Sequence, residues 1–140
     1  MILTLKPAHL AIIEEHCVLA YPNEACGILI GRREEETASL TTVLLTANDQ
    51  APAFQHHRYR IPPEELLRAE LLAEEQALTV IGYFHSHPDL PAVPSEHDLE
   101  NAWPDYLYLI TSVKDRRATE TRGWWLGGDC VFVKTLLTVA

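Results

Sequence analysis

The stretch Thr79-Val80-Ile81-Gly82-Tyr83-Phe84-His85-Ser86-His87-Pro88 sets the reading of the whole chain. Its first six residues are apolar, β-branched or aromatic apart from one glycine, the composition of a buried central strand. Residues i and i+2 of a strand point to one face, so His85 and His87 project together and Ser86 projects away. Two imidazoles on one face are a ready pair of metal ligands. Pro88 to Pro94 holds three prolines and must be loop. Beyond it, Ser95-Glu96-His97-Asp98 opens a short helix, and Asp98 is well placed to supply a third ligand.

Working outward, the late segments Tyr106 to Val113, Thr121 to Leu126 and Cys130 to Thr135 read as strands. The charged turn Lys114-Asp115-Arg116-Arg117 and Gly127-Gly128-Asp129 separate them. Towards the N-terminus, Pro62-Pro63-Glu64-Glu65 begins a helix with acidic residues in its first turn, as the macrodipole favours. Leu67, Leu71 and Leu78, helped by Leu66, Ala69 and Ala73, give it an apolar side. His57 to Ile61 suggests a short strand, Asn48 to Phe54 a loop, and Leu40 to Thr46 a strand. Gly31 to Glu36 reads as a charged hairpin tip and Cys26 to Ile30 as a buried strand. Leu10, Ile13, Cys17 and Ala20 recur at helical spacing after Pro7, which suits a first turn. Ile2 to Leu5 is a further short strand. Roughly seven strands and three helices in mixed order predict an α/β sandwich with a mixed sheet, as one domain over residues 1–140.

Composition sets the outer limits. A chain of 140 residues is long enough to bury a core without disulfides and too short for a (β/α)₈ barrel of about 250 residues. Twenty acidic against eleven basic residues give a net charge of −9, which argues against nucleic acid as a partner. Arg58 and Arg60 are the only hint of a basic patch. Three widely spaced cysteines, Cys17, Cys26 and Cys130, form no CxxC and no disulfide framework, fitting a reducing compartment. The start MILTLKPAHL lacks signal-peptide features, and no apolar run approaches a membrane span. The expected location is the cytoplasm, with no membrane partner.

Each site residue also has a plainer reading. An HxH pair is often two ordinary histidines, and Ser95-Glu96-His97-Asp98 fits an S-x-x-[DE] helix cap. The spacing of HSH, Ser95 and Asp98, with Glu24 ahead of a buried strand, makes chance a poor explanation. Three ligands of N/N/O type leave a fourth tetrahedral position open, the arrangement of a catalytic zinc. HxHxDH, HExxH and the HxE…PCxxC pattern of zinc deaminases are all absent. His97 points about 100° from Asp98 on a helix and reads as a neighbour of the site or a surface residue. His56 and His57 read as solvated, Cys26 as a small buried residue, and Trp103, Trp124 and Trp125 as core or rim packing.

The pattern E…HSHPx₆SxxD resembles the JAMM (MPN+) zinc metallopeptidases, in particular their small stand-alone prokaryotic members. The resemblance runs from PNEACGILIGR, residues 22–32, to YLYLITS, residues 106–112. It implies the JAMM α/β sandwich, akin to cytidine deaminases, with a curved mixed sheet flanked by helices. It implies one Zn²⁺ per chain held by His85, His87 and Asp98. Glu24 matches the general acid/base and Ser95 the residue that hydrogen-bonds the oxyanion. The implied substrate is a ubiquitin-like or sulfur-carrier protein with a Gly-Gly tail, cut at the amide bond after Gly-Gly. The alternative is a zinc-bearing MPN interaction scaffold with little catalysis. The loop Asp89 to Pro94 borders the groove and is a candidate gate.

Overall fold

The computed structural model describes residues 1–140. The quoted stretch forms strand β4 (Thr79–Pro88), with eight consecutive buried residues from Val80 to His87. Both faces are covered by packed layers, and both edges are paired. Strand β2 (Cys26–Glu34) pairs with it antiparallel and β5 (Tyr106–Lys114) parallel. Gly82 lets β4 and β5 approach closely, because a Cβ there would collide with the Leu107 carbonyl. Next to β2 lies β3 (Thr37–Thr46), while β6 (Arg117–Leu126) and β7 (Phe132–Val139) extend the β5 side.

The sheet does not stop at two edges. Strand β1 (Ile2–Leu5) pairs in parallel with β3 on one side and β7 on the other, closing the order β1-β3-β2-β4-β5-β6-β7. The expected mixed sheet of seven strands with three helices is present, and it closes on itself: four residues with Leu3 and Leu5 buried suffice to join the two ends. Closure also satisfies strand edges that would otherwise be exposed.

Helix α1 (Pro7–Ala20) lays Ile13 and Cys17 against one face of the sheet, among Leu29, Phe84 and Leu109. Helix α2 (Pro63–Glu75) covers the opposite face, where Ala69 and Ala73 meet Ile28, Ile30 and Val80. Its buried stripe differs from the expected one: Leu67 and Leu71 are exposed, and Leu66 and Leu72 flank the alanines instead. Two small residues at i and i+4 allow close helix–sheet contact, which a leucine pair would prevent. The third helix, α3 (Glu96–Asn101), follows β4.

Two more expectations change. Gly31 to Glu34 continue β2, leaving Glu35 and Glu36 as the turn. Residues 57–61 form no strand. Their backbone is satisfied elsewhere: Arg58 O and Arg60 N bond the Asn48 side chain, and Asp49 N donates to Arg60 O.

Candidate metal centre

Alternation along β4 turns His85 and His87 to one face and Ser86 to the other. Ser86 is committed to structure: its Oγ accepts from Ala25 N at 2.8 Å and its N–H donates to Ala25 O at 3.1 Å. That clamp fixes the residue beside Glu24 against β4. Asp98 enters from α3, where Ser95 and Asp98 form a reciprocal capping box. Asp98 N donates to Ser95 Oγ at 3.1 Å, and Ser95 N to Asp98 Oδ2 at 2.9 Å. The cap therefore orients the carboxylate as well as starting the helix.

The structure brings His85, His87 and Asp98 together in a buried group. Asp98 Oδ1 lies 3.2 Å from His85 Nε2, and Oδ2 lies 3.0 Å from His87 Nε2. The two Nε2 atoms are 3.2 Å apart. A tetrahedral ion with bonds of about 2.0 Å has ligand atoms about 3.3 Å apart. The spacing fits a metal site. His87 Nδ1 donates to Pro91 O at 2.8 Å, which leaves Nε2 with its lone pair towards the group.

Burial and neighbouring charge shape these side chains. Burial works to raise the Asp98 carboxyl, but the His85 and His87 imidazoles and the Ser95 amide outweigh it and hold it well below the usual carboxylate range. Burial pushes His85 down, whereas for His87 the bond to Asp98 overcomes burial and raises it. Glu24 is 4% exposed, and its Oε1 is buried without a hydrogen-bond partner. Burial pushes its carboxyl up to about 8, moderated by His87 and reinforced by Asp98.

Loops hold the periphery. The proline loop after β4 is pinned along its length: Tyr21 Oη donates to Asp89, Ser112 Oγ to Leu90 O and Trp124 Nε1 to Ala92 O at 3.0 Å. A segment fastened this way supports His87 through Pro91. Across the site, Asn48 uses both amide hydrogens and its oxygen. Nδ2 donates to Glu24 O and Arg58 O, each at 3.0 Å, and Oδ1 accepts from Gln50 N and Arg60 N. Between Arg58 and Arg60 sits Tyr59, its ring stacked on His85 with centroids 4.5 Å apart and planes at 21°.

A cleft of about 330 Å³ opens beside Asp98, with Tyr59, Arg60, Leu66, Tyr83 and Trp103 in its walls. Neither Tyr59 nor Asn48 carries a sequence signal of its role, since the contacts span distant segments. Trp124 and Ser86 are likewise assigned only by their hydrogen bonds. Other candidates stay outside the trio. His97 lines the cleft on α3, His56 and His57 bond one another at the surface, and the Cys26 thiol is buried against Thr46 and Ala47. Trp125 packs on the core under the Arg33 guanidinium.

Comparison with known proteins agrees with this geometry. Residues 6–127 match the family model described as prokaryotic homologs of the JAB domain. The desampylase of Haloferax volcanii is 32% identical over 109 residues, which cover 77% of this chain and 73% of that protein. The CysO-cysteine peptidase of Mycobacterium tuberculosis is 28% identical over 110 residues, covering 78% and 72%. The solution structure of a protein from Desulfitobacterium hafniense superposes with a TM-score of 0.81 at 29% identity, covering 99% of this chain and 94% of that one. The chain therefore belongs to the prokaryotic homologues of the JAB domain, as a small member of the JAMM/MPN family of peptidases.

Proposed function

We propose that this chain is a zinc-dependent metallopeptidase that hydrolyses the amide bond after the C-terminal Gly-Gly of a ubiquitin-like or sulfur-carrier protein. The observation that carries the reading is the buried His85-His87-Asp98 trio beside a buried carboxylate with an unpartnered oxygen. A purely structural metal site needs no such carboxylate. The names of the two relatives, a desampylase and a CysO-cysteine peptidase, support the substrate class.

In this reading one Zn²⁺ per chain is held by His85, His87 and Asp98. When bound, it supplies Lewis-acid polarisation of the scissile carbonyl and an acidified water. Glu24, buried near His87 and Asp98 with an unpartnered Oε1, is placed to take a proton from the attacking water and pass it to the leaving amine once a bound cation favours its ionised form. Ser95 Oγ accepts from Asp98 N, which leaves its own proton for the developing oxyanion. A Gly-Gly tail is thin enough to lie extended in a narrow groove. We place the chain in the cytoplasm as a single domain, consistent with its free cysteines. With a net charge of −9, its partner is protein rather than nucleic acid, and no helix is long and apolar enough to cross a membrane.

The test is intact-mass spectrometry of a Gly-Gly carrier bearing a C-terminal extension. Wild type should cut after Gly-Gly, chelator-treated protein should not, and Glu24→Gln should be slower by about 10²- to 10⁴-fold with its metal retained. Glu24→Gln cutting at the wild-type rate would overturn the role of Glu24. Zinc bound without cleavage of any carrier would favour the interaction scaffold instead.

A further inference from the structure

The two histidines of the trio are supported differently. His87 has a hydrogen-bond partner for its second nitrogen in Pro91 O. His85 has none: its Nδ1 is buried and unpartnered. Metal-bound imidazoles normally rely on such a bond to fix ring orientation, so something else must hold His85. The Tyr59 ring lies nearly parallel to it at 4.5 Å, the geometry of a stacked contact. Ile110 on β5 and Cys26 on β2 flank His85 in the ladder, and their contacts fix its backbone rather than the tilt of its ring.

Tyr59 is itself held from both sides. The preceding carbonyl, Arg58 O, and the following amide, Arg60 N, both bond the Asn48 side chain. The same side chain also binds Glu24 O. One amide thus ties the segment that bears the unpartnered carboxylate to the segment that bears the stacking ring. We infer that Tyr59 is a positioning residue for the metal ligand His85, replacing by ring stacking the missing hydrogen bond on Nδ1, and that Asn48 sets its register to Glu24. The inference rests on the metal reading of the trio but not on any substrate.

The experiment measures zinc affinity by competition with a chromophoric chelator, and the visible spectrum of the Co²⁺-loaded protein. Tyr59→Phe keeps the ring and should bind zinc as wild type does. Tyr59→Ala should bind about 10- to 100-fold more weakly, as expected when the support of a ligand is lost. Its Co²⁺ bands should shift. Tyr59→Leu, which fills space without a planar ring, should fall with Ala rather than Phe, and it serves if the alanine variant fails to fold. Asn48→Ala should weaken zinc binding in the same direction. Equal affinity in Tyr59→Leu and wild type would overturn the inference, and so would equal loss in Tyr59→Phe and Tyr59→Leu, which would point to the hydroxyl. Wild type that binds no zinc would instead overturn the metal reading itself, so the two failures are separable.

Discussion

Glu24 shows how one position can carry a cost to stability. Its carboxyl sits at about 8 in the fold against an ordinary 4.5, because burial disfavours the charged form. The fold therefore prefers the protonated carboxyl. That contribution is complete below pH 4.5 and is lost as pH rises through 8. Glutamine, neutral and of the same shape, escapes the loss. Metal-free wild type should thus fall behind metal-free Glu24→Gln between these pH values, by on the order of a few kcal/mol. Denaturant titrations of both proteins across that range read the difference, and a pH-independent offset would contradict it. Ser95 and Asp98 teach a related lesson. The helix cap and the metal-ligand readings of these residues are compatible, because the Ser95 amide that bonds Asp98 Oδ2 also orients it towards His87.

At the level of elements, the closeness of β4 and β5 sets the strand that bears His85 and His87 in place. Gly82→Ala would push a methyl group into the Leu107 carbonyl. It should destabilise the protein by about 1–3 kcal/mol, the usual cost of overpacking, visible as a lower denaturant midpoint. The proline loop is a second case. Trp124, one strand beyond β5, donates to Ala92 O, and Tyr21 from the end of α1 reaches Asp89. Trp124→Phe keeps most of the packing but leaves Ala92 O without its donor. A loss of about 1–3 kcal/mol is expected, measured in the same way.

Across the whole molecule, closure of the sheet by β1 ties the N-terminus to both ends of the strand order. Leu5→Ala, at a side chain only 1% exposed, should cost about 2–5 kcal/mol and lower the melting temperature. On the proposed function, metal binding would add to this frame, because a ligand held only by the folded state stabilises it. Zinc at 100 times its dissociation constant should contribute about 2.7 kcal/mol, which a chelator should remove in a thermal melt. An unchanged melting temperature on chelation would argue against a metal held by the trio.

What the sequence determined by itself was local. Strand alternation set His85 and His87 on one face, and the S-x-x-D cap placed Asp98 at the start of a helix. Hydrophobic spacing located α1 and the central strands. These are effects of covalent geometry and short-range hydrogen bonding, so they can be read from neighbouring residues. Tertiary structure alone decided the rest. Whether the sheet stayed open or closed depended on β1 meeting both β3 and β7, a choice between distant partners. Which leucines of α2 were buried depended on the sheet beneath them, since two apolar stripes competed for one surface. The run at 57–61, expected as a strand, is held instead by the Asn48 side chain and by Asp49 N. Through that same side chain the stacking ring of Tyr59 was brought to His85, 26 positions away in sequence, a contact no local pattern encodes.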